Sequence, residues 1–126
     1  STSAGKVIYP LGENAEGLAI FTESGYLSAQ LMRPGRPGFA AGDQSAGTTE
    51  EVQAAVQGYG AYYGQCDIDT EQGTLTTLVQ GSLFPNWVGS EQVRFYELDG
   101  NRLTLKTPPI PFGDDAFTGE LTWERL

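Results

Sequence analysis

Arg94 is the side chain of this sequence best suited to hold a reacting or recognised group. It stands in Glu91-Gln92-Val93-Arg94-Phe95-Tyr96-Glu97-Leu98, a strand-like run just ahead of a sharp Asp99-Gly100-Asn101 turn. A guanidinium inside a sheet can hold a carboxylate, phenolate or enolate through two parallel N–H donors. Its direction depends on the turn. If Gly100-Asn101 or Asp99-Gly100 is a two-residue turn, Arg94, Tyr96 and Leu98 share a face with Leu103 and Leu105, the inward face. A three-residue turn reverses this and sends Val93 and Phe95 inward. The competing readings for Arg94 are an exposed arginine and a structural pair with an interior carboxylate.

Other side chains group around it. Tyr26, Ser28 and Gln30 alternate on one face of a run whose other face carries Leu27, Ala29 and Leu31. Burial preference puts the polar set outside. A ligand barrel with a mixed lumen puts it inside, with Gln30 as an orienting donor and acceptor. Tyr59, Tyr62 and Tyr63 cluster where a helix returns to the sheet, either lining a pocket or sealing the helix. Trp87, with Phe84 and Asn86, either rims a cavity mouth or buttresses a turn. Trp123 reads as core. The candidate ligand-binding set is Tyr26, Gln30, Tyr62, Asn86, Trp87, Arg94 and Tyr96; no catalytic residue is assigned.

The composition excludes much. There is no histidine, so triads, Cys–His dyads and the commonest metal ligand are absent. One cysteine, Cys66, allows no intrachain disulfide and, as a small buried hydrophobe, suits a reducing compartment. Asp67, Asp69 and Glu71 resemble a calcium loop, but Gly73 falls one place late and no bidentate Glu follows at the twelfth place. That stretch reads as a hairpin turn. Gly35 to Gly47 lacks Gly-Lys-Ser/Thr and is no phosphate loop. No cofactor or metal is expected. The net charge of −9 argues against nucleic acid and anionic membrane surfaces. There is no signal-like segment and no apolar stretch long enough to span a bilayer. A cytoplasmic protein is expected.

The elements that position these residues are short strands punctuated by turns, as in all-β sandwiches and barrels. Strands are expected at Lys6 to Tyr9, Gly17 to Thr22, Tyr26 to Met32, Ala61 to Ile68, Thr74 to Leu83, Glu91 to Leu98, Arg102 to Thr107 and Phe117 to Glu124. Leu11 to Asn14 and Glu23 to Gly25 read as turns. Arg33 to Gly47, rich in Gly, Pro and Ala, reads as a long mobile or lid-like loop. Thr48 or Thr49 caps a helix, with Glu51 completing a capping box and Val52, Ala55, Val56 and Tyr59 at helical spacing. Pro108, Pro109 and Pro111 make a loop through Asp115. The 126 residues form one domain.

Several stretches together resemble the bacterial and fungal lipocalin-like domain family of small β-barrels. They are Val7-Ile8-Tyr9-Pro10-Leu11-Gly12, Gly25 to Pro37, Gly81-Ser82-Leu83-Phe84-Pro85-Asn86-Trp87-Val88-Gly89, Gln92-Val93-Arg94, Leu103-Thr104-Leu105 and Leu121-Thr122-Trp123-Glu124-Arg125. The resemblance implies an all-β, lipocalin-like antiparallel barrel of about eight strands with one short helix. It also implies a lumen for a small, largely apolar molecule. Members usually open with a strand carrying Gly-x-Trp, and none precedes Lys6. An unclosed edge favours association, so a homodimer is expected.

The expected function is binding of a small hydrophobic or aromatic molecule in the lumen. The alternative is a cofactor-free cyclase or isomerase of a natural-product pathway, acting by orientation and hydrogen bonding. A third is an assembly module joined through sheet edges.

Overall fold

Short turns between consecutive strands dictate the architecture, because they leave antiparallel neighbours as the simplest pairing. The computed structural model describes residues 2–3, 6–7, 15–108, 110–112 and 115–126. In chain order the strands are β1 (Thr2–Ser3), β2 (Lys6–Val7), β3 (Glu16–Phe21), β4 (Tyr26–Met32), β5 (Tyr59–Asp69) and β6 (Thr74–Ser82). They continue with β7 (Glu91–Asp99), β8 (Arg102–Lys106), β9 (Ile110–Phe112), β10 (Asp115–Thr118) and β11 (Glu120–Glu124). Helix α1 (Thr49–Gln57) lies between β4 and β5. The outer half of the first expected strand, the turn at Leu11 to Asn14, Pro109 and Asp114 lie outside the described residues.

A seven-stranded antiparallel sheet in the order β11-β8-β7-β6-β5-β4-β3 forms a nearly closed barrel. A second, small sheet has the order β2-β1-β10-β9. Two expectations are corrected here. The segment read as a loop from Pro108 to Asp115 contains β9 and the start of β10, which pair with each other. The final strand is broken at Gly119 into β10 and β11, which belong to different sheets. Prolines were read as breakers, but proline is tolerated in short edge strands.

The hairpin between β7 and β8 is set by a two-residue turn. Asp99 pairs with Arg102, and Gly100-Asn101 bridge them. Gly100 has φ of 59°, which a residue without Cβ adopts at no steric cost. The ladder then carries one inner face from β4 to β8. Leu27 faces Gly64, Gly64 faces Val79, Leu75 faces Arg94, and Tyr96 faces Leu105. One bulge interrupts β5 and β6 at Tyr63/Gly64. A Cβ on Gly64 would lie 1.9 Å from the Leu78 carbonyl oxygen, so the bulge requires glycine there.

The core on this inner face is Leu27, Ala29, Leu75 and Leu105, with Ala19, Tyr62, Cys66, Tyr96, Leu103 and Trp123 half-buried against it. Helix α1 has the expected capping box: Thr48 accepts from the Glu51 N–H and Glu51 accepts from the Thr48 N–H. Val52 and Val56 stay exposed. The helix is therefore held by its ends rather than by a buried stripe. The loop from Arg33 is tied to it. The Ala40 N–H donates to the Glu51 carboxylate at 2.9 Å, and Arg36 Nη1 donates to the Ala55 carbonyl at 3.0 Å. Asp69 accepts from the N–H groups of Glu71 and Gln72; this carboxylate shapes the β5–β6 turn.

Leu27 is 1% exposed. Leu27→Ala is expected to cost about 2–5 kcal/mol of stability, through lost burial and a residual cavity. A urea melt with a lower midpoint and an unchanged slope checks it; an unshifted midpoint would remove Leu27 from the core.

Candidate ligand site on the inner face

The two-residue turn decides the direction of Arg94. Arg94 is 9% exposed, whereas its neighbour Phe95 is 47% exposed. Its guanidinium carbon lies 5.8 Å from the centroid of the Trp87 ring, within cation–π range. Nη1 donates to the Val93 carbonyl at 2.9 Å. Neither ion pair found among the described residues involves Arg94; both join exposed side chains, Arg102 with Glu124 and Lys106 with Glu97.

Trp87 is delivered by a single 3-10 turn, Pro85–Trp87, between β6 and β7. Pro85 fixes the first residue of that turn. The Trp87 ring meets Tyr62 edge-on at 5.6 Å and Phe84 at 6.1 Å. Trp87 thus closes the turn between β6 and β7 and faces the Arg94 guanidinium. Tyr62 enters from β5, level with Ala29 on β4. Burial raises its phenol above the ordinary tyrosine range, and the Arg94 charge opposes the rise. Burial likewise lowers the Arg94 pKa, opposed by Tyr62.

The candidate residues divide between the faces. Tyr62, Trp87 and Arg94 are brought together, and Tyr96 shares their inner face, packed against the core. Tyr26 and Gln30 are not brought to them. Leu27 and Ala29 take the inner positions of β4, because burying apolar rather than polar surface decides the parity. The lumen position considered for Tyr26 and Gln30 is corrected accordingly. Gln30 instead accepts from the Tyr59 hydroxyl, and Tyr26 accepts a long bond of 3.4 Å from Gln65. Asn86 is exposed on the turn. The three tyrosines are also separated: Tyr59 lies under Arg36, and Tyr63 points outward over Gly81, whose hydrogen leaves room for the ring.

Three inner-face groups escaped the sequence reading as site candidates. Thr77 is 1% exposed, and its Oγ1 has no hydrogen-bond partner among the described residues. Trp123 Nε1 is buried in the same condition. Cys66 pairs with Thr77 across the ladder. Burial pushes its thiol up, and the nearby Thr77 hydroxyl tempers this without reaching bonding geometry. The alternation Leu75-Thr77-Val79 was the available signal for Thr77. A surface depression lined by Phe39, Gly42, Asp43 and Gln44 contains none of these residues.

The match with known sequences agrees with this geometry: the lipocalin-like domain family covers residues 1–126. The chain belongs to the lipocalin-like domain family. One relative is a 4'-hydroxy-3'-methoxypropiophenone carrier protein of Aspergillus oryzae, 35% identical over 107 residues, covering 79% of this chain and 96% of the relative. No solved structure matches the chain.

The raised values of Tyr62 and Cys66 have a pH consequence. The folded state keeps protons that the unfolded state releases. Their contribution to stability is complete below the unfolded-state values and is lost as pH rises beyond about 8.5 for the thiol and about 10 for the phenol. Tyr62→Phe is expected to flatten the alkaline fall in the urea midpoint between pH 9 and 11. An identical alkaline profile would mean that Tyr62 ionises as freely folded as unfolded.

Proposed function

We propose that this protein is a carrier that binds a small aromatic molecule in its lumen without a cofactor. The observation that carries this reading is the meeting of Tyr62, Trp87 and Arg94 on a mostly apolar inner face. Ligand sites are mostly apolar with a few placed polar groups, and this face has that composition. Half-buried inward residues such as Tyr62, Tyr96, Leu103 and Trp123 leave apolar surface for a guest to cover. The naming of a relative as carrier of a hydroxylated aryl ketone supports an aromatic guest.

The cyclase or isomerase reading finds less support. Among the described inner-face residues the titratable groups are Tyr62, Cys66, Arg94 and Tyr96. Burial moves the Tyr62 and Cys66 pKa values away from neutrality, where a general base would be tuned towards it. A cytoplasmic setting fits the single free thiol. Among the described residues no helix is long and apolar enough to cross a membrane.

The carrier reading is checked by titrating the protein with 4'-hydroxy-3'-methoxypropiophenone while following tryptophan fluorescence. Saturable quenching is expected, with the ligand recovered unchanged. Trp87→Phe is expected to remove most of the quenching and weaken binding. Conversion of the ligand would favour an enzyme, and no quenching would oppose the reading.

The seven-stranded sheet ends at β3 and β11. Unpaired strand edges invite pairing with a second chain, and we extend the proposal to a homodimer through one of them. Sedimentation at micromolar concentration is expected to give twice the 13.5 kDa chain mass. A single species of 13.5 kDa would rule the dimer out.

A further inference from the structure

We propose that the lumen takes its guest as an oxyanion: a planar, conjugated phenolate or enolate whose oxygen is held by Arg94 and whose ring lies near Trp87. The inference rests on the carrier reading and names the chemical form of what is carried.

It begins with the distribution of charge across the ladder. The chain carries −9 overall, yet the register sends the described strand carboxylates to the outer face. Asp67 pairs with Thr76, Asp69 with Thr74, Glu91 with Leu78, Glu97 with Thr104, Asp99 with Arg102, and Glu120 with Lys106. The inner-facing pairs are Cys66 with Thr77, Leu75 with Arg94, Tyr96 with Leu105, and Trp123 with Leu103. The seven-stranded sheet of this acidic protein thus turns one cation inward and, among its described residues, no carboxylate to balance it.

A charge moved out of water without a counter-charge is costly. Arg94 is 9% exposed. Among the described residues it has one bonded acceptor, the Val93 carbonyl, and the face of Trp87. Most of the donors of a guanidinium fork are left for a guest. The geometry also limits the guest. Trp87 is held edge-to-face by Tyr62 and Phe84, so it offers a rigid planar wall beside the cation. Thr77 gives independent support. It is 1% exposed, its Oγ1 is orphaned, and it is the diagonal neighbour of Arg94 on the inner face, since Leu75 pairs with Arg94. Diagonal positions lie roughly 7–8 Å apart, within the span of one aromatic ring and its oxygens. A hydroxyl there can donate to a second oxygen of the guest.

No bond to carbon is made or broken. The guest's phenol or enol proton leaves to bulk water, and the anion remains. The titratable groups facing Arg94 across the inner face are Tyr62 and Cys66 on β5 and Tyr96 on its own strand. A titration kept below about pH 8.5 stays under the ordinary thiol and phenol ranges, so what titrates is the guest.

The experiment uses the full chain and two probes, 4'-hydroxyacetophenone and its methyl ether, 4'-methoxyacetophenone. The bound phenol is titrated through the long-wavelength absorbance of its phenolate. The expected result is a bound pKa at least one unit below that of the free probe, a tenfold or greater preference for the anion. Arg94→Met is expected to abolish this shift, and Arg94→Lys to keep part of it. The proposal is overturned if wild type binds the phenol with an unchanged or raised pKa, or if Arg94→Met shows the same fall. Binding of the ether without a pKa shift for the phenol defeats this inference and leaves the carrier reading standing. Failure of wild type to bind either probe defeats both. If Arg94→Met does not fold, the wild-type shift and Arg94→Lys still decide.

Discussion

The side-chain period of a strand is two, and in this barrel that constraint governs everything else. One residue more or less at the Gly100-Asn101 turn would exchange the faces of β7 relative to β8. Phe95 would then point in, and Arg94 would stand in water. The two-residue turn prevents this, and the apolar residues of β4, β6 and β8 reinforce it, since Leu27, Leu75 and Leu105 are all buried on the same side. Arg94 is carried inward as a consequence. A guanidinium in that place weakens the core in isolation. Its contact with Trp87 returns on the order of 0.5–2 kcal/mol, and a hydrogen bond from a charged group about 1.5–3. The desolvation of an unpaired ion amounts to several kcal/mol. These contacts offset part of that cost, and an anionic guest would offset more of it.

The second dependence is local. Trp87 reaches the inner face because Pro85 opens a single tight turn between β6 and β7. The Ser90 hydroxyl donates to the Trp87 carbonyl at 2.6 Å, and the Gly89 N–H to the Val79 carbonyl at 2.8 Å. These bonds close the connection against the sheet. The indole is thereby fixed by backbone as well as by its aromatic neighbours. A rigid wall loses less entropy on binding than a mobile one, which suits the planar guest proposed above.

Much of this was legible in the sequence. The Tyr26–Met32 strand, the Thr48 capping box and the β7–β8 hairpin follow from alternation, cap chemistry and the Asp-Gly turn. The direction of Arg94 was legible only as a choice between two turns, because parity is lost if the loop length is uncertain by one residue. Tyr26 and Gln30 illustrate a different limit. Alternation showed that they share a face, but which face is inner depends on the whole ladder rather than on one strand. The split at Gly119 was hidden for a third reason. β10 and β11 follow one another with only Gly119 between them, and the change of sheet partner there is a tertiary choice. Thr77 was legible as inward from its alternation with Leu75 and Val79, but not as a site residue, because threonine is an ordinary strand former. Only its orphaned hydroxyl distinguishes it.

The separation of charge between the faces also bears on how the proposed guest would be exchanged. The acidic exterior repels anions at long range, and salt weakens that repulsion over a Debye length of about 8–10 Å. A neutral phenol approaches without this penalty, and the lumen offers the only cationic side chain on the inner face among the described residues. Approach as the neutral form and retention as the anion are then separate steps. Release requires the proton to return, or the Arg94 contact to be replaced. Tyr62 cannot serve as the replacing anion at neutral pH, since burial keeps its phenol protonated. It remains a hydroxyl beside Trp87, able to donate to a bound oxygen but not to neutralise the guanidinium. A ligand with no acidic oxygen would leave that charge unbalanced, so the same arrangement that retains one class of aromatic guest discriminates against its neutral analogues.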